Sequence, residues 1–154
     1  MFRKIIKIIL VFLCMLTIFM FSSDNGTKSS EKSDNLIVNT IEIFKNKKLN
    51  KISKKKYIKK YVFIVRKTAH FTIYLILGLL IISLLKEYMI ISSKTFFLAI
   101  ILVFLYACTD EFHQYFVPGR DAKVFDVIID TLGGSVGTFI YYFFRRKSWI
   151  RKSN

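Results

Sequence analysis

Asp110-Glu111-Phe112-His113-Gln114-Tyr115-Phe116-Val117-Pro118-Gly119-Arg120-Asp121 stands between two long apolar runs. In twelve residues it gathers three acids, a histidine, a glutamine and an arginine. Upstream, Thr95 to Cys108 carries no charge, and its helical pattern extends to about Phe116. Pro118 then stops it, because the residue before a proline is pushed out of helical geometry. Pro118-Gly119 suits a tight turn, with Pro fixing the first central residue and Gly supplying positive φ at the second. Downstream, the apolar segment 124–144 contains Asp126 and Asp130 and closes on Arg145-Arg146-Lys147. The stretch therefore reads as the corner of a helical hairpin in a membrane. Polar groups are costly near lipid, so a cluster of them marks a site.

Two further apolar segments lie outward from this corner, at about 5–21 and 69–85. Each of the four is about as long as a helix needs to cross a bilayer, roughly 20 residues with its polar ends. Nothing alternates as a barrel strand would, and helices satisfy their own backbone groups in lipid. The expected fold is all-α: one domain, a polytopic bundle of four transmembrane helices with an amphipathic segment between the first and second. Composition agrees, with 53% hydrophobic and 16% aromatic residues and a single proline. The first segment follows Met-Phe-Arg-Lys and lacks a small-residue cleavage site, so it is expected to be a retained helix. Cys14 and Cys108 fit no metal or redox spacing and read as small apolar residues.

The net charge of +15 is uneven: thirteen of the 25 Lys and Arg fall between Lys28 and Lys67. No nucleic-acid motif accompanies them, which leaves membrane lipids as the expected partner. Ser22 to Ser30 reads as a polar loop. Leu36, Ile37, Val38, Ile41, Ile43 and Phe44 follow at helical spacing, then two lysine clusters over 45–60. One or two amphipathic helices on the membrane surface and a solvated linker both fit this region.

With four spans, the start of the second, the end of the third and the start of the fourth share one side. That rim collects Arg66, Lys67, His70, Asp110, Glu111, His113, Gln114, Arg120, Asp121, Lys123, Asp126 and Asp130. Steps of four place Arg66, His70, Tyr74 and Gly78 on one helix face, and Asp126, Asp130 and Gly133/Gly134/Gly137 on another. Gly133-x-x-x-Gly137 is a close-packing pattern, which turns both aspartates into the bundle. Asp130 lies roughly 9 Å into the span at 1.5 Å per residue. A carboxylate at that depth must be paired, hydrogen-bonded or protonated.

His70 and Glu111 are the candidate catalytic pair, His70 as base and Glu111 as an acid tuned by burial. The competing reading makes both structural, His70 bonded to a neighbouring carboxylate and the acids paired with Arg120, Arg66 or Lys67. Lys67, Asp110, Gln114, Arg120, Asp126 and Asp130 are the candidate ligand-binding residues. Arg120 and Lys67 would donate to a phosphate or zwitterionic head group. A metal set of His70, Glu111, Asp126 and His113 has no supporting spacing within one helix, and the nearby basic residues oppose it; no metal is expected. No nucleotide fingerprint, phosphate loop or nucleophile motif appears, so no cofactor is expected.

These residues resemble the VanZ-like family of small bacterial membrane proteins. The likeness runs through Ser22-Ser23, then Arg66-Lys67-x-Ala69-His70-Phe71-x-x-Tyr74-x-x-Leu77-Gly78. It continues through Asp110-Glu111-Phe112-His113-Gln114-x-Phe116-Val117-Pro118-Gly119-Arg120 and Asp126-x-x-x-Asp130-x-x-Gly133 with Gly137. Many members carry Asn at the position of Asp130, and the lysines of 45–60 look peculiar to this chain. The resemblance implies a cell-membrane protein associated with resistance to the glycopeptide teicoplanin. It supplies no reaction, and whether the chain is an enzyme stays open. The partner it suggests is a cell-wall precursor or a glycopeptide, with an outward-facing rim and cytoplasmic termini. Charge counting opposes that orientation, since it leaves 10 basic residues inside and 15 outside.

Overall fold

A computed structural model describes residues 2–24, 26–120 and 122–150. Among them are five helices: α1 (Phe2–Ser23), α2 (Gly26–Lys45), α3 (Lys51–Leu85), α4 (Ser93–Tyr115) and α5 (Val124–Ile150). Four of these, α1, α3, α4 and α5, are long and apolar enough to cross a membrane. Their outer faces expose large apolar side chains, among them Phe12, Ile76, Phe97, Leu105 and Phe139. Such surface suits lipid.

Local chemistry sets the boundaries. Asn50 caps α3 by accepting from Ser53 N at 2.9 Å, and Ser92 caps α4 through Thr95 N. The hairpin corner forms as the sequence suggests: Arg120 N donates to Val117 O at 3.1 Å, and Gly119 has φ 74°. Asp121, counted with the rim acids, lies outside the described residues, as do Asn25 of the expected loop and the end of the basic tail beyond Ile150.

The core sits between α3 and α5, which run parallel at a nearly constant register. Lys67 meets Asp126, His70 meets Asp130 and Gly78 meets Thr138. Glycines make this approach possible. A methyl at Gly133 would land on the Phe71 carbonyl, one at Gly137 on the Leu75 carbonyl and one at Gly78 on the Gly134 carbonyl. The close-packing pattern thus identifies the inner face of α5. α4 seals the other side with Ala99, Val103 and Ala107, each fully buried. α1 joins this core through Ile18 and is tied to α4 by the Tyr106 hydroxyl, which donates to Met15 O at 2.6 Å.

The region between the first two spans differs from expectation in two ways. Among the described residues its polar loop shrinks to Asp24, because Ser22 and Ser23 complete α1 and α2 starts at Gly26. The lysine-rich part is the first half of α3 itself. At 35 residues α3 is about 52 Å long, against a hydrocarbon core of about 30 Å, so its basic half projects beyond the lipid. α2 packs against that half through Ile37 and Val38, Glu42 to Lys54 at 3.2 Å and Lys45 to Tyr57. No proline or glycine between Lys51 and Gly78 interrupts α3, which explains its continuity. At the opposite rim, Lys7 donates to Glu87 and to Ser83 O. That bond and the charge of Lys7 hold the Glu87 carboxyl below its ordinary range.

Candidate functional site

The rim charges converge because α3, α4 and α5 each deliver a polar turn to the same end of the bundle. Lys67 lies one turn before His70 on α3, and Asp126 lies one turn before Asp130 on α5. The parallel register therefore forms two rungs. Lys67 and Asp126 make an ion pair at the outer rung. At the inner rung His70 Nδ1 lies 3.4 Å from Asp130 Oδ1, a contact without hydrogen-bond alignment.

α4 contributes Asp110, Glu111 and Gln114, all buried. The two adjacent acids diverge, as their separation of about 100° around a helix requires. Asp110 faces His70 and Asp130, whereas Glu111 accepts from Lys123 N at 2.9 Å. Gln114 Nε2 donates to Asp110 Oδ2 at 3.0 Å and to Ser22 Oγ at 3.3 Å. Its Oε1 accepts from Arg120 Nη1 at 3.3 Å. Arg120 also donates through Nε to Asp24 O at 3.1 Å and through Nη2 to Phe21 O at 2.6 Å. Burial, and after it the like charge of Arg66, pulls the Arg120 guanidinium below its ordinary pKa.

Two cavities open beside this network. One, about 250 Å³, lies toward α5 and is lined by Arg66, Lys67, Arg120 and Lys123 with His70 and Asp126. The other, about 280 Å³, lies between α1, α2 and α3, and Ile18, Phe21, Leu36, Val65 and Ile73 make its wall mostly apolar. Arg66, His70 and Arg120 border both. Arg66 makes no hydrogen bond or ion pair among the described residues, which leaves its guanidinium available to a ligand.

The VanZ/LLP1 family's sequence profile matches residues 7–145, all four spans and the whole rim. The chain belongs to the VanZ/LLP1 family. No curated protein and no solved structure matches it. In this VanZ/LLP1 member the quoted motifs thus come together around one polar cluster.

All eight candidate residues lie at one end of the bundle, and two pairings of the structural reading form, His70 with Asp130 and Lys67 with Asp126. Arg120, a candidate ligand-binding residue that the competing structural reading paired with an acid, binds backbone carbonyls and Gln114. The reason is the end of α1, whose last carbonyls have no helical partner. His113 leaves the cluster: it stacks on Phe19 at 4.4 Å and meets Ser23 Oγ at 3.0 Å. That geometry breaks up the metal set of His70, Glu111, Asp126 and His113. Two participants had no assigned role, Ser22 as a partner of Gln114 and the fully buried Tyr74, whose hydroxyl sits near Asp110 and Asp130. Tyr74 shares the helical face of His70 and Arg66, and that periodicity was the available signal.

Proposed function

We propose that this VanZ/LLP1-family membrane protein binds an envelope amphiphile with a phosphate-bearing head group, through an outward-facing rim. Binding would alter susceptibility to glycopeptides such as teicoplanin, as the resemblance implies. One observation carries the reading. A cavity walled by four cations adjoins a mostly apolar one, and Arg66 and Arg120 border both. A charged head with an apolar tail matches that pair of environments. Arginine is suited to such a head because its planar fork meets phosphate oxygens two at a time.

The test uses full-length protein reconstituted with phosphatidylglycerol or with a polyprenyl diphosphate, the two sources of this chemistry. Wild-type protein should retain one of them through purification, and Arg66→Gln should lower retention about tenfold, the loss of one charge-assisted contact. Equal retention of both lipids by wild type and variant would defeat the reading. The intramembrane-enzyme alternative, with His70 and Glu111 as acid and base, has less support, because Glu111 lines neither cavity.

The outward rim is part of the proposal and has its own expected result. A reporter fused after Asn154 should show cytoplasmic activity only. External activity would put the rim inside and remove envelope intermediates of the outer leaflet from consideration. The projecting basic half of α3 softens the conflict with the charge count. Charges held on a helical hairpin with α2 are not the short flexible loop to which the positive-inside bias best applies.

A further inference from the structure

The rim network leaves one group of buried atoms unexplained. One ring nitrogen of His70 and one carboxylate oxygen each from Asp110 and Asp130 lie within 4.8 Å of one another. Asp130 is 0% exposed and Asp110 3%. Both Asp130 oxygens, Asp110 Oδ1 and His70 Nδ1 lack a hydrogen bond. Two carboxylates buried this way are expensive unless a cation, a donated hydrogen bond or a proton compensates them. Of the cations nearby, Lys67 is engaged with Asp126 and Arg120 with Gln114 and two carbonyls, and Arg66 makes no ion pair with either aspartate among the described residues. Their presence in the sequence argued against a metal, whereas their actual partners leave the inner rung short of positive charge.

The spacing of His70 and Asp130 fits a small divalent ion. Ligands bound at about 2.0–2.2 Å and held at the tetrahedral angle lie about 3.4 Å apart, and His70 Nδ1 to Asp130 Oδ1 is 3.4 Å. Gln114 Nε2 occupies Asp110 Oδ2 and leaves Oδ1 without a hydrogen bond. Orientation of a ligand carboxylate by such an outer partner is typical of metal sites. One imidazole with two carboxylates favours zinc or manganese over the all-oxygen coordination of calcium.

We propose that His70, Asp110 and Asp130 hold a divalent transition-metal ion, with its remaining positions open toward the cavities that His70 borders. This goes beyond the lipid reading and does not need it. The ligand residues differ from the charged arginines that would hold a head group.

The experiment uses untagged full-length protein in detergent, stripped with chelator, reloaded with Zn²⁺ or Mn²⁺, and dialysed. Wild type should keep about one ion per chain by elemental mass spectrometry, and Asp130→Asn and Asp110→Asn at least tenfold less. Asp130→Asn is nearly isosteric and should fold. His113→Ala, which alters a histidine outside the cluster, should keep the ion. Chelator should lower the thermal midpoint of wild type and leave that of Asp130→Asn unchanged. Wild type retaining neither ion, or both aspartate variants retaining it, overturns the site. Should neither aspartate variant accumulate, wild type decides: a midpoint insensitive to chelator overturns the proposal, as it would if the carboxylates merely shared a proton. Retention of lipid by Arg66 variants is a separate readout, so either idea can fail alone.

Discussion

Replacing Gly137 with leucine should abolish folded protein, and replacing it with alanine should cost about 3 kcal/mol, the upper end of the range for overpacking. A Cβ at this position would fall on the Leu75 carbonyl of α3. A backbone carbonyl cannot swing aside as a side chain can, so the two helices must separate. Separation is costly here because α3 and α5 carry both rungs of the site. Moving them apart would stretch His70 from Asp130 and Lys67 from Asp126 together. In lipid there is little hydrophobic drive to restore the contact, since the tails are as apolar as the core. Abundance in the membrane fraction and the elution profile in detergent would measure the loss. Gly119→Ala gives the contrast: that glycine sits in the turn with φ 74°, so its variant strains one corner and leaves the helix contact intact. A Gly137→Ala protein with an unchanged thermal midpoint would mean that α3 and α5 do not meet through this face.

The same glycines show how much of the architecture is written in the chain. Small residues at steps of three and four, in line with Asp126 and Asp130, define the inner face of α5 before any coordinate is known. Counting spans then brings α3, α4 and α5 to one rim, and the two rungs follow. The length of α3 was hidden. Lys51 to Lys60 looks like a surface helix or a linker because composition reports the solvent around a segment, and a helix can pass from water into lipid without a break. Pairings were hidden for a different reason. A sequence shows which charges share a rim, but each then goes to whichever unsatisfied group is nearest. Arg120 found the open carbonyls of α1, and Lys123 offered its backbone N–H to Glu111. The buried charges of Asp110 and Asp130 became conspicuous only once those choices were visible.

Arg120→Ala should destabilise the protein by about 3 kcal/mol, in the range for losing hydrogen bonds to a charged group, and Arg120→Lys should recover less than half of that. The guanidinium is in effect the missing cap of α1. It satisfies Phe21 O and Asp24 O at a helix terminus where cations are favoured by the aligned peptide dipoles. Its third bond holds Gln114 Oε1 and so keeps the amide nitrogen toward Asp110 and Ser22. Without Arg120 the amide is free to turn, and Asp110 loses the hydrogen bond from Gln114. Lysine keeps the charge but presents one flexible ammonium, which cannot span three acceptors on α1 and α4. The thermal midpoints of the two variants separate these contributions. Full recovery by lysine would show that positive charge alone suffices at the rim. Failure of lysine would show that the fork is what fastens the α4–α5 corner to α1, and with it the wall that both cavities share.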